Sequence, residues 1–268
     1  MLTHDKTLWG RFLLKHWKFW LIFACVVAYV FLIEPNILTV ERLTFSDEPS
    51  AKIVFFADIH IWTKKPLHNR LLEKFTDEGV DLILFGGDVL APYTDMEYME
   101  SFLSKLTAIA PVYAVYGNWE ESETTTMQKI YEEAGINVVH ANSTEIQISD
   151  KKLGLTGTPS HHYFSWTKFL PEDDYDLKIL MVHAPNLLEE HENVLKDFDL
   201  VLAGHTHGGQ FYIPWLTEAI LRSTRGFSGD FFRGLYQING TKVFVTRGVG
   251  GWFPGRLASL PEIVFIEF

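Results

Sequence analysis

The chain has 268 residues, 47% of them hydrophobic and 21% charged, with 34 acidic against 23 basic side chains and one cysteine. That length can bury a sizeable core, and the apolar fraction excludes a disordered or collagen-like chain. A lone cysteine excludes internal disulfides and zinc-finger or iron–sulfur ligation, and the net charge of −11 argues against nucleic acid as a partner.

The first 18 residues carry Lys6, Arg11, Lys15 and Lys18 against Asp5 alone, so the surplus of acid lies entirely in the remainder. An unbroken apolar run follows from Phe19 to Ile33, ended by Glu34-Pro35. Alone it is shorter than the ~20 residues a bilayer crossing takes. Phe12, Leu13, Leu14 and Trp17 lengthen it if Lys15 and Lys18 snorkel, with Trp9, Trp17 and Trp20 as an interfacial belt. No small-x-small cleavage site follows Ile33, and no polar stripe marks a surface helix. The expectation is a basic segment and single uncleaved membrane anchor over 1–34, a linker over 35–49, and one catalytic domain over 50–268.

Within that domain, periodicity predicts strands at 52–57, 81–85 and 111–116, alternating with helices over 67–77, 96–109 and 125–134. This alternation implies a parallel sheet with crossover helices. Short strands then follow at 145–148, 152–155, 178–182, 200–203, 234–238, 242–246 and 262–267, with Asn239-Gly240 as a hairpin turn. The second half therefore reads as rich in antiparallel pairs. The fold class expected is α/β, a sandwich of two mixed sheets flanked by helices.

The polar residues fall at strand ends: Asp58-Ile-His60, Gly86-Gly-Asp88, Gly117-Asn118, His183, and Gly204-His205-Thr-His207-Gly-Gly. Strand tips of an α/β sheet converge on one crevice, so these seven side chains should meet. Each motif alone has a bland reading as a helix cap, a turn or a structural histidine. Together they form an all-nitrogen-and-oxygen donor set. It suits Mn first, with Fe or Zn as alternatives, and it is large enough for two cations sharing a carboxylate. Asp88 is the natural bridge, because Gly86-Gly87 lets the backbone approach closely.

The order Asp-x-His, Gly-Asp, Gly-Asn, His, Gly-His-x-His, from about Ile53 to Phe268, resembles the calcineurin-like metallophosphoesterase superfamily. The resemblance implies that Asp58, His60, Asp88 and His207 hold one divalent metal, and Asp88, Asn118, His183 and His205 a second. It also implies hydrolysis by a metal-bridging hydroxide, with Asn118 touching the phosphate. The tail Arg247-Gly-Val-Gly-Gly251 with Pro254-Gly-Arg256 is similar to a membrane-associated bacterial branch. That branch includes phosphodiesterases and a type of UDP-2,3-diacylglucosamine pyrophosphatase. Arg247 and Arg256 are candidate phosphate contacts.

One residue departs from the pattern. The superfamily motif Gly-Asn-His-Asp/Glu carries a histidine that protonates the leaving oxygen, and here that position is Trp119. Losing a general acid costs roughly 10²–10⁴-fold when the leaving group is basic. A pyrophosphate, or a diester with a good leaving group, tolerates the loss. His161 or His162 could substitute, but both read more simply as loop residues. Phe211 to Leu216, Arg222 to Phe227 and Phe231 to Arg233 interleave aromatics with arginines, as a lid over a lipid-linked substrate would.

The sequence thus points to a membrane-anchored dinuclear phosphohydrolase acting on a membrane-proximal phosphodiester or pyrophosphate, UDP-2,3-diacylglucosamine being the specific candidate. The positive-inside rule places the domain outside the cytoplasm, whereas that substrate requires it inside. An extracytoplasmic phosphodiesterase on envelope phosphoesters is the alternative. A catalytically inactive scaffold or a nuclease ranks lower, because no ligand is missing and the domain is acidic.

Overall fold

In the computed structural model, described over residues 15–158, 174–186, 188, 192–224 and 230–268, the strands form two six-stranded sheets. The first runs in the order β1-β12-β2-β3-β4-β5, from Thr39–Thr44 (β1), Lys52–Phe56 (β2), Leu82–Phe85 (β3), Val112–Ala114 (β4), Asn137–Val138 (β5) and Glu262–Glu267 (β12). The second runs β10-β11-β9-β8-β7-β6, from Asn142–Ile148 (β6), Lys151–Gly157 (β7), Leu177–Val182 (β8), Leu200–Ala203 (β9), Gly234–Ile238 (β10) and Thr241–Val245 (β11). The expected α/β sandwich of two mixed sheets is what the chain forms.

Period-two alternation explains the layers. In β2, Ile53 and Phe55 face the interior between the sheets, where they join Leu155, Ile179, Met181 and Leu202. Val54 and Phe56 face outward and pack beneath helices α2 (Pro66–Glu78), α3 (Met96–Thr107) and α5 (Thr124–Ala134), with Leu71, Phe102 and Tyr131. Burying one such aliphatic or aromatic side chain contributes roughly 1.5–3 kcal/mol, so β2, buried on both faces, is the spine of the fold. Pro66 opens α2 and Gly79 closes it in the left-handed region, while the Asp95 side chain caps α3 by accepting the Tyr98 N–H at 3.1 Å.

Two expectations need correction. The second sheet is less antiparallel than its sequence suggested: β7, β8, β9 and β11 run parallel, and only its edge pairs β6–β7 and β10–β11 are antiparallel. Between β8 and β9 the segment 183–199 carries the four-residue helix Glu192–Leu195, too short to write a helical period in the sequence. Residues 35–49, read as a linker, contain β1, which pairs in parallel with β12 from Thr39↔Glu262 to Thr44↔Glu267. The Asn239-Gly240 turn does have both residues at positive φ, as its hairpin type requires.

Upstream, helix α1 (Trp17–Ala28) continues through a π-helical turn, Tyr29–Ile33, and a 3₁₀ turn, Glu34–Asn36. Trp17–Asn36 is long and apolar enough to cross a membrane, or to serve as a signal sequence. Its upper part is exposed all round, but Val30 and Glu34, one turn apart, are buried against the domain.

Candidate metal centre

Every strand end that carried a polar motif points into the same crevice. Asp58 and His60 follow β2, Asp88 follows β3, Asn118 opens the one-turn helix α4 (Asn118–Glu121) after β4, His183 follows β8, and His205 and His207 follow β9. The backbone there is unusual: Asp58, His60, Asp88, His205 and His207 all have φ between 40° and 71°. Side-chain-bearing residues pay about 1–3 kcal/mol for such conformations, and they persist only where the surroundings over-determine them. Glycine makes the close approach possible. A Cβ on Gly87 would fall 2.3 Å from the Gly117 nitrogen, and one on Gly117 would fall 2.0 Å from Asp88 Oδ1.

Among the described residues the side chains gather into two groups able to hold a cation, Asp58–His60–His207 and Asp88–His183–His205, each with its ligand atoms within 4.8 Å of one another. Asp88 belongs to both in space. Its Oδ2 stands 3.6 Å from His60 Nε2 and 3.3 Å from His183 Nε2. Asn118 Oδ1 lies 3.1 Å from His183 Nε2, on the side of the second group.

The histidines are oriented from behind. The ring Nδ1 of His60 faces the Leu90 carbonyl at 2.5 Å, and that of His183 faces the Gly86 carbonyl at 2.8 Å. Donation to those carbonyls fixes the tautomer and turns each Nε2 lone pair into the crevice. His60 Nε2 and His207 Nδ1 are buried and have no hydrogen-bond partner among the described residues. Burial pushes the pKa of both rings down, so both are neutral, the ligating form. Burial also pushes Asp58 up to about 7, while Asp88, despite burial, is drawn low by His183. Buried carboxylates beside orphaned imidazole nitrogens form a cation donor set. The residues fit divalent metals.

Two elements of the site escaped the sequence reading. Glu120, fully buried, accepts the backbone N–H groups of Gly117, Asp88, Val89 and Leu90 at 2.7–3.0 Å. Its position as the third residue of α4 after Gly117 is the capping-box spacing, and that signal could have revealed it. Gln210, also buried, ties the site loop to the carbonyls of Phe253 and Gly255.

Both arginines expected at the phosphate are committed elsewhere. The Arg256 guanidinium is buried and donates to the carbonyls of Arg247, Gly248, Gly250 and Ser259. Arg247 pairs with the buried Glu262 (Nε–Oε1 2.7 Å) and donates to Thr39. Neither lines the cavity, and the phosphate-contact expectation is corrected for both. His161, His162, Arg225 and Phe227 lie outside the described residues.

An open cavity of ≈ 490 Å³ lies over the crevice. Asp88, Asn118, His205 and His207 form its polar floor, and Trp119, Phe211, Leu221 and Trp252 form an apolar wall. The Trp119 ring stands edge-on to His60, with centroids 5.9 Å apart.

A two-sheet α/β sandwich with histidines, carboxylates and an asparagine converging from five strand ends defines a metal-dependent phosphoester hydrolase. The chain belongs to the calcineurin-like phosphoesterase family, which it matches over residues 51–209. It is 30% identical over 242 residues to Phosphodiesterase YaeI of Escherichia coli (strain K12), covering 85% of this chain and 86% of that one. It is 27% identical to an uncharacterized metallophosphoesterase of Helicobacter pylori (strain J99), covering 81% of this chain but 59% of that longer protein. Among solved structures, an archaeal phosphodiesterase aligns at 16% identity and a TM-score of 0.41, over 74% of this chain and 84% of that one.

Proposed function

We propose that the protein hydrolyses a membrane-associated phosphodiester or pyrophosphate at a dinuclear centre. In this reading Asp58, His60, Asp88 and His207 hold one divalent cation, and Asp88, Asn118, His183 and His205 the other. The observation that carries it is the place of Asp88 Oδ2 between His60 Nε2 and His183 Nε2, one carboxylate serving two donor groups. Two cations at such a centre supply an activated water and neutralise charge on the phosphoryl oxygens. Asn118, on the cavity floor, is positioned to touch the phosphate as well as to ligate. Trp119 offers no titratable proton, so this position gives the leaving group no help. That favours a phosphoanhydride or a diester with an acidic leaving group.

The apolar cavity wall supports a substrate with a hydrocarbon part beside its phosphate. Ile213, Trp215 and Leu216, next in the chain after Phe211, are exposed, Trp215 to 83%. With the apolar helix Trp17–Asn36 they support an anchored enzyme working at a lipid surface. UDP-2,3-diacylglucosamine, cleaved to lipid X and UMP, combines both chemical features. The rival is an extracytoplasmic phosphodiesterase; the basic residues ahead of the helix favour that side of the membrane, and the likeness to Phosphodiesterase YaeI of Escherichia coli favours a diester.

The deciding experiment is UMP release from UDP-2,3-diacylglucosamine by detergent-purified protein with Mn²⁺, beside Asp88→Ala and a generic phosphodiester. Release lost in the variant supports the pyrophosphatase with its domain facing the cytoplasm. Cleavage of the generic diester alone keeps the enzyme and discards that substrate. Silence on both, with Mn²⁺ bound, sinks the catalytic reading.

A further inference from the structure

The apolar helix does not end in a free tether. Val30 and Glu34, one turn apart and therefore on one face, are buried against the loop 253–259, while Leu32 and Ile33 between them are exposed. The Val30 carbonyl accepts the Arg256 N–H at 3.0 Å, and Phe31 packs edge-on against Phe253. Glu34 Oε1 accepts the backbone N–H of Ser259 at 2.8 Å. A carboxylate at the end of an apolar helix would ordinarily face water, yet this one is 1% exposed.

Ser259 has every polar group engaged. Its N–H goes to Glu34, its carbonyl accepts from Arg256 Nη1 at 2.6 Å, and its hydroxyl donates to the His207 carbonyl at 2.7 Å. His207 is one of the site residues held at positive φ (51°), with a buried ring nitrogen aimed into the crevice. Such a backbone needs an external clamp, and the Ser259 hydroxyl grips the peptide that sets the direction of the imidazole. The chain of contacts therefore runs from the end of the apolar helix to a candidate metal ligand in two hydrogen bonds.

We infer that Glu34 is a positioning residue for the metal site, acting on His207 through Ser259. The inference rests on the dinuclear reading above but not on any substrate. It makes the segment Val30–Asn36 part of the catalytic machinery rather than a connector.

The test is a Mn²⁺ titration by calorimetry of the full-length protein in detergent, with the unfolding midpoint of the metal-free protein measured in parallel. Glu34→Ala and Ser259→Ala should each weaken Mn²⁺ binding by about 10-fold or more, the range typical of groups that orient metal ligands. Glu34→Gln keeps a carbonyl oxygen for the Ser259 N–H and should stay within about threefold of wild type if that acceptor is what matters. Wild-type affinity in both alanine variants, whatever their midpoints, overturns the inference and leaves Glu34 a purely structural residue. Glutamine as weak as alanine overturns the acceptor role. Failure of the wild type itself to bind Mn²⁺ overturns the metal reading as well.

Discussion

Glu120 Oε2 accepts the backbone N–H of Asp88 at 2.7 Å, so the residue that stands between His60 and His183 is held through its main chain by a carboxylate that belongs to neither donor group. The same side chain takes the amides of Val89, Leu90 and Gly117, and thereby locks two strand-end loops together. Burial, then the charge of Asp88, pushes its pKa up to about 7, against the pull of those amides. Replacing it with alanine leaves four buried donors without an acceptor, each worth about 1–3 kcal/mol. Glu120→Ala should lose at least ~3 kcal/mol of unfolding free energy in urea and most of its metal binding. A variant of wild-type stability would show that the loops hold themselves.

Trp119 should set leaving-group preference. Its backbone N–H is bonded to Asp88 Oδ1 at 3.1 Å, and that bond survives any substitution except proline. Trp119→His places an imidazole at the cavity and should raise turnover of an alkyl phosphodiester by about 10²-fold, the low end of general-acid catalysis. Turnover of a nitrophenyl diester should move by no more than about threefold. Equal gains on both would mean that the indole acts by blocking the cavity.

His68 predicts an acid-labile step that has nothing to do with catalysis. Buried beneath α3, with its ring stacked on Tyr98 and its Nδ1 within 3.2 Å of Tyr98 Oη, it has its pKa pushed down to about 4 by burial and by Lys65. The unfolded chain binds a proton at about 6.5 that the folded chain refuses. The folded state is therefore fully favoured above pH 6.5, and that advantage is lost as pH falls through about 4. The difference amounts to roughly 3 kcal/mol. Urea unfolding of His68→Phe and wild type across pH 7 to 4 should diverge by that amount. Parallel curves would refute it.

Arg256 should behave as a structural residue. Burial pulls its pKa down to about 10, and its guanidinium serves four backbone carbonyls. Arg256→Ala should cost about 3–5 kcal/mol of stability. Under conditions where it stays folded, KM for a small phosphodiester should be unchanged. A selective rise in KM would return the residue to the phosphate.

The convergence of the candidate donors was legible because chemistry concentrates at strand ends, where Gly-Asp, Gly-Asn and Gly-His break the apolar runs. Strands β2, β3 and β4 were legible because both faces are buried, which writes continuous hydrophobic runs. β1 was not, because Thr39–Thr44 is an edge strand in which Leu43 alone is buried, so its sequence reads as polar loop. The arginines misled because a guanidinium suits phosphate and backbone carbonyl alike, and residue type alone does not say which it meets. Glu34 was hidden for a related reason: a glutamate that ends an apolar run looks like the boundary of a membrane segment.

The left-handed backbone at Asp58, His60, Asp88, His205 and His207 has an evolutionary consequence. Each of these positions is one that glycine would occupy at lower conformational cost, so the fold would be easier to maintain without its reactive side chains. A descendant freed from catalysis should therefore accumulate glycine at these positions first. Keeping five such residues against that drift requires continued selection for what they do together.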